Sequence, residues 1–157
     1  MILKGNTIKE LIEKKEIEIE PFDLEYQLET SSVSLRLSNK YYKYPKELEP
    51  DIEMLDAKNP YFQILEHDFI SEKGFVVEPN KFIIAESLEY IKLPENIAIF
   101  LDSKFRLNKL GLQLVNTGWL EAGYEGNLLF CLYNVNEFPV RIFSEMRVAE
   151  IVFAKSE

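Results

Sequence analysis

From residue 75 onward the chain is a run of short, mostly apolar segments at close spacing, separated by turn residues. Phe75–Val77, Phe82–Glu86, Ala98–Leu101, Leu112–Val115, Leu128–Tyr133, Val140–Phe143 and Val148–Phe153 read as strands. Pro79-Asn80, Pro94-Glu95-Asn96, Gly123 and Pro139 supply turns between them. Many short strands at this spacing make a sandwich or closed barrel, not alternating βαβ units. Upstream, Val33, Leu35 and Leu37 alternate with Ser34 and Arg36, which describes one more half-buried strand. Residues 40–73 are polar and poorly periodic, an excursion with one or two weak strands. Helix is confined to short pieces. Thr7-Ile8-Lys9-Glu10 reads as a capping box opening a helix with Ile8, Leu11 and Ile12 on one face, finished before Pro21. A helical turn is expected over Lys104–Lys109, with Gly111 ending it. The 128–133 strand is apolar on both faces, so another subunit is expected against one of them.

Composition narrows the class. The 157 residues suit a single domain spanning 1–157, and 46% apolar with 29% charged residues describes a globular chain. Its apolar runs are too short for a membrane helix, and Met1-Ile2-Leu3-Lys4-Gly5 does not open a signal peptide. Cys131, the single cysteine, excludes an internal disulfide and points to a reducing, cytoplasmic setting. A net charge of −9 argues against nucleic acid or an anionic membrane as partner. A small anionic ligand stays open, because a basic loop or bound cation reverses the field locally.

Several segments, in order along the chain, resemble the dCTP deaminases and trimeric dUTPases. Thr7-Ile8-Lys9-Glu10-Leu11-Ile12 with Ile17-Glu18-Ile19-Glu20-Pro21-Phe22 is similar to the start of many dCTP deaminases. Ser32-Val33-Ser34-Leu35-Arg36-Leu37 resembles their Ser-Val-Asp-Leu-Arg-Leu strand, and Ser87 to Pro94 the segment leading to their active-site loop. Lys104 to Leu112 falls on the Gly-Arg-Ser-Ser-Leu-Ala-Arg-Leu-Gly-Leu loop, Gly118 to Gly126 on the turn after it, and Met146 to Phe153 on the closing strand. The resemblance implies a mostly β fold, a distorted jelly-roll or dUTPase-like β-clip barrel with a short N-terminal helix. It also implies a homotrimer with sites at subunit interfaces, binding a pyrimidine deoxynucleoside triphosphate with Mg²⁺ and no protein-bound metal.

Against that pattern, the positions that carry chemistry are changed. In the phosphate loop Ser103, Lys104, Phe105, Arg106 and Lys109 stand where the family has Gly, Arg, Ser, Ser and Arg. Charge survives at Lys104, Arg106 and Lys109, but Phe105 donates no hydrogen bond and lysine does not replace a bidentate arginine. Two readings stand for this loop: solvated charges, or a residual anion site. The family's proton-shuttling glutamate lies five residues beyond the second Gly of the turn motif, which is Cys131 here. A thiol is a poor substitute for a tuned carboxylate, and a cysteine inside an apolar strand is ordinarily a small packing residue. In the dUTPase motif an aspartate activates water and a tyrosine stacks on the sugar; Glu121 and Tyr124 take those places, beside Gly118. Glu121 keeps the base on a longer arm, and the alternative is an exposed turn carboxylate with Tyr124 as packing. Ser34 replaces an aspartate and Glu150 a glutamine, and a carboxylate at 150 repels phosphate unless a cation intervenes. The sequence stops at Glu157, short of the tail that closes over nucleotide in the family. His67 has no Cys or His at zinc spacing and reads as a surface residue.

Three functions follow: a trimer with lost or weakened catalysis and a nucleotide-binding or regulatory role; a working dCTP deaminase or dUTP diphosphatase; or a structural partner in mixed trimers.

Overall fold

The computed structural model describes residues 1–58 and 65–156, so part of the 40–73 excursion lies outside the described residues. The first helix, α1 (Gly5–Glu13), turns Ile8 fully inward with Leu11 and Ile12 packed beside it. It begins earlier than the Thr7 capping box requires. Lys4 is the N-cap and offers no side-chain hydrogen bond, and Ile8 N–H already donates to the Lys4 carbonyl at 2.9 Å. The cause lies on either side of the start. Leu3 N–H is pinned to the Phe153 carbonyl at 2.9 Å, and a Cβ on Gly5 would sit 2.7 Å from the Glu29 carbonyl oxygen. Glycine lets the chain press against that backbone and turn straight into helix.

A short strand, β1 (Glu18–Glu20), and the single turn α2 (Leu24–Gln27) follow. Asp23 caps α2 by accepting from Tyr26 N–H at 3.1 Å. The remaining strands are β2 (Val33–Lys43), β3 (Glu66–Phe69), β4 (Phe75–Val77), β5 (Phe82–Lys92), β6 (Ile97–Ser103), β7 (Leu112–Leu114), β8 (Gly118–Leu120), β9 (Glu125–Asn134), β10 (Val140–Ile142) and β11 (Arg147–Lys155). The turn α3 (Phe105–Lys109) separates β6 from β7 and ends where expected, with Gly111 at φ +75°.

Nine strands form one antiparallel sheet along the path β7-β9-β5-β2-β11-β6-β8, with β1 added on β5 and β3 on β2; β10 and β4 make a separate ribbon. The sheet curls into a half-barrel around its apolar face. Leu35, Leu37, Ile91, Ile97, Ile99, Leu101, Phe130 and Phe153 fill that core. The fold is thus mostly β with a short N-terminal helix, as anticipated, and no helix among the described residues is long and apolar enough to cross a membrane.

One polar network runs through the core. Glu89 has no exposed surface and accepts from Arg36 Nε at 2.7 Å, Arg36 N–H at 2.9 Å and Gln27 Nε2 at 2.8 Å. Gln27 also donates to the Ser34 carbonyl at 2.9 Å and accepts from Asp23 N–H at 2.8 Å, tying α2 to β2 and β5. Ser87 Oγ sits at the irregularity in β5, donating to the Glu89 carbonyl at 2.6 Å and accepting from Leu128 N–H at 2.8 Å.

Candidate functional site

Several of the residues singled out in the sequence fall into two clefts and one open turn, while Lys109, Cys131 and His67 lie elsewhere. The first cleft, of about 290 Å³, is lined by Glu29, Lys104, Phe105, Arg106, Arg147 and Glu150. The sheet brings these together: β11 pairs with both β2 and β6, so the start of β11, the turn after α2 and the residues following β6 share one end. Lys104 is not a solvated loop charge. Its Nζ lies 3.1 Å from Glu150 Oε2 and 3.5 Å from Glu29 Oε1, and the lysine is mostly covered. Arg147 Nη1 is 3.6 Å from Glu29 Oε1 and donates to the Tyr26 carbonyl at 3.0 Å, with its guanidinium 4.5 Å above the Tyr26 ring. Ser32 Oγ donates to Glu150 Oε2 at 3.1 Å and Ser34 Oγ to Glu29 Oε1 at 3.3 Å. Glu150 is thus paired with a cation of the chain itself, Lys104.

Arg106 is exposed, and makes no ion pair among the described residues. Phe105 is 73% exposed, and Lys109 leaves the cleft to place its Nζ 5.6 Å over the Phe105 ring. Among the described residues no group of three or more His, Cys, Asp or Glu side chains gathers, and Glu29 and Glu150 both face the Lys104 ammonium group. His67 is exposed on β3, edge-on to Phe69.

The second cleft, also about 290 Å³, is lined by residues that include Asn116, Gly118, Trp119, Tyr124 and Leu129. Gly118, at φ +135°, opens β8, and nothing stands within 4 Å of where its Cβ would be. Tyr124 is half-buried, its hydroxyl donates to the Asn127 carbonyl at 2.9 Å, and burial pushes its pKa up. Trp119 is exposed and faces Phe100 across the β6–β8 pair. Glu121 lies outside both clefts on the exposed turn after β8, with no hydrogen bond or ion pair from its side chain among the described residues.

Cys131 sits in β9 opposite Ile84 of β5, on the outward face with Leu129 and Tyr133, while Leu128, Phe130 and Leu132 point into the core. Its amide donates to Asn116 Oδ1 at 2.8 Å, and Asn116 Nδ2 donates to the Leu129 carbonyl at 2.7 Å, so one side chain continues the ladder past the end of β7. Burial pushes the Cys131 thiol pKa up, away from a reactive thiolate. One rung along on the same face, opposite Leu129, stands Glu86. That carboxylate is already engaged by Tyr42 Oη at 2.6 Å and Lys40 Nζ at 3.3 Å.

Sequence reasoning missed Glu29, Tyr26 and the partnership of Arg147. The Asp23 cap just after Pro21 was the available signal that a turn there would carry side chains to the sheet end.

A family model described as dCTP deaminase-like matches residues 2–156. The chain is 41% identical over 158 residues to a protein of Sulfurihydrogenibium sp. (strain YO3AOP1) named dCTP deaminase, dUMP-forming, covering 100% of this chain and 85% of the relative. A protein of Persephonella marina (strain DSM 14350 / EX-H1) with the same name is 43% identical over 158 residues, with the same coverage. Among solved structures, 2'-deoxycytidine 5'-triphosphate deaminase from Agrobacterium tumefaciens has a TM-score of 0.76 at 21% identity, over 99% of this chain and 48% of that one. This chain therefore spans about half the length of that protein, and the likeness is one of fold.

Proposed function

Because this chain belongs to the dCTP deaminase-like family, we propose that it is a cytoplasmic homotrimer of pyrimidine deoxynucleotide metabolism in which catalysis is lost or weakened, leaving a residual nucleotide-binding or regulatory role. The observation that carries this reading is Cys131. The position where the family pattern calls for a proton-shuttling carboxylate holds a thiol with a raised pKa, across from Ile84. Deamination needs a group that takes a proton from water and returns it to the leaving amine near neutral pH, and such a thiol does neither well. Glu86, on the same face, is committed to Tyr42 and Lys40. The phosphate loop agrees: its covered lysine is spent on Glu29 and Glu150, and Phe105 stands where a hydroxyl donor belongs. The homotrimer is supported by the exposed apolar outer face of the sheet, where Phe100, Trp119, Val115 and Leu129 lie open. A nucleoside triphosphate entering this cleft would bring Mg²⁺ on its own phosphates, since the chain's carboxylates there are occupied.

The test is incubation of the purified protein with dCTP, with dUTP and with both, in the presence of Mg²⁺, resolving products by ion exchange. The reading expects neither dUTP from dCTP nor dUMP from either substrate, and turnover at rates usual for enzymes overturns it.

A second reading, an active deaminase or diphosphatase, has two supports. Relatives at 41% and 43% identity carry the name dCTP deaminase, dUMP-forming. Glu121 is an exposed carboxylate three residues before Tyr124, free to reach a water. Under that reading Glu121→Gln abolishes turnover, with Gly118, Tyr124, Lys104, Arg106 and Lys109 arranged around the nucleotide by a second subunit. Turnover unchanged in Glu121→Gln removes Glu121 from the chemistry.

A further inference from the structure

Resting on the reading of the Lys104 loop as a ligand cleft, we propose that Glu29 and Glu150 act as built-in counter-anions that set how much negative charge this cleft accepts, turning away polyphosphates and admitting a singly charged anion with an apolar body. Each carboxylate is held from two sides. Glu150 Oε2 receives Ser32 Oγ at 3.1 Å and Lys104 Nζ at 3.1 Å. Glu29 Oε1 receives Ser34 Oγ at 3.3 Å and stands 3.5 Å from Lys104 Nζ and 3.6 Å from Arg147 Nη1. Both serines are buried, which fixes them as anchors.

Three cations, Lys104, Arg106 and Arg147, and two anions line the cleft, for a net charge of one positive, with Lys109 beside it over the Phe105 ring. A triphosphate would have to break the Lys104 pairs and then lie against the two carboxylates it displaced, like charges at contact distance. A singly charged anion meets no such demand. It needs Arg106, which is exposed with no ion pair among the described residues, while the internal pairs stay closed. The Phe105 ring, 73% exposed beside Arg106 and with Lys109 Nζ over one face, offers its other face for the ligand's apolar part. Charge and shape together describe a phosphodiester or a carboxylate attached to an aromatic or apolar group.

The test is calorimetric titration at low salt of the wild-type protein, Glu29→Gln, Glu150→Gln and the double variant, each with inorganic tripolyphosphate and with diphenyl phosphate. Glutamine keeps an oxygen for the serine hydroxyls, and thermal denaturation checks that each variant folds; should Glu29→Gln fail, Glu150→Gln alone carries the test. Glu16→Gln, exposed and remote from the cleft, controls for net charge. Tripolyphosphate affinity should rise roughly tenfold for each cleft carboxylate neutralised, which is the scale of a like charge at contact between bulk-water and surface screening. Diphenyl phosphate should bind the wild type more tightly than tripolyphosphate does and gain little in the variants. Three results overturn the proposal: no gain for tripolyphosphate, an equal gain for both probes, or an equal gain in Glu16→Gln. Any of these with no dCTP turnover defeats the charge gate alone, whereas turnover of dCTP by the wild type defeats the reading of the site beneath it.

Discussion

Cys131 and Ile84 stand directly opposite each other on the outer face of the β5–β9 ladder. The pairing places an apolar rung where acid–base chemistry is expected from the family pattern. Burial pushes the thiol's pKa up there, because it disfavours the thiolate.

Alkylation of Cys131 should accordingly be slow. The thiolate is the reacting form, and its fraction at a given pH falls as the pKa rises. The rate of reaction with iodoacetamide should climb through a midpoint above 9.0, the thiol's ordinary value, and exceed the folded rate at pH 8 once the chain is unfolded. A midpoint below 8 in the folded protein would show an activated thiolate. Above the ordinary pKa the unfolded chain loses its proton first, so this group makes stability fall as pH rises through that range.

Restoring a carboxylate at that position should not restore an enzyme. Cys131→Glu supplies the missing group but leaves the phosphate loop with Phe105 exposed and Lys104 tied to Glu29 and Glu150. Ion-exchange analysis after incubation with dCTP and Mg²⁺ should show no more product than with the parent protein. Substantial dUTP or dUMP would mean that position 131 alone had silenced the site.

The strand pattern was legible because most inward positions are Ile, Leu, Val or Phe, and the reading failed where they are not. β5 continues to Lys92, beyond the expected end at Glu86, because its inward positions 87 and 89 are serine and glutamate. Those two residues broke the period of two: Glu89 holds the buried Arg36, and Ser87 bridges the irregularity between β5 and β9. The start of α1 was misplaced for a different reason: it is set by the tie between Leu3 and Phe153 and by the close approach of Gly5 to Glu29, neither of which is local in sequence. The site divides in the same way. Cys131, Glu121 and Glu150 stood out as departures from a pattern, whereas Glu29 lies in a polar stretch without period and acquires its role from a sheet pairing over a hundred residues away.

Glu89 should be the costliest polar residue to lose. Glu89→Ala leaves Arg36 Nε and Arg36 N–H without their acceptor in a closed setting, and removing one partner of such a pair costs about 3–5 kcal/mol. Chemical denaturation should show that loss with an unchanged denaturant slope. A change under about 1 kcal/mol would contradict the burial of the network.

Gly111→Ala should destabilise the chain by about 1–3 kcal/mol, the scale of cost for a non-glycine residue held in the left-handed region. The backbone there has φ +75°, and a Cβ would meet the Asn136 Cβ at 2.9 Å. Thermal denaturation measures it, and an unchanged midpoint would mean that the turn between α3 and β7 relaxes freely.

The central claim, a family fold that no longer turns over its nucleotide, is tested most directly by a single-turnover experiment. Labelled dCTP is incubated with a large molar excess of the wild-type protein and Mg²⁺, and the label is followed over hours. The account predicts that the label stays dCTP throughout. Conversion of the label to dUTP or dUMP within minutes would contradict it and make Glu121 the first side chain to replace.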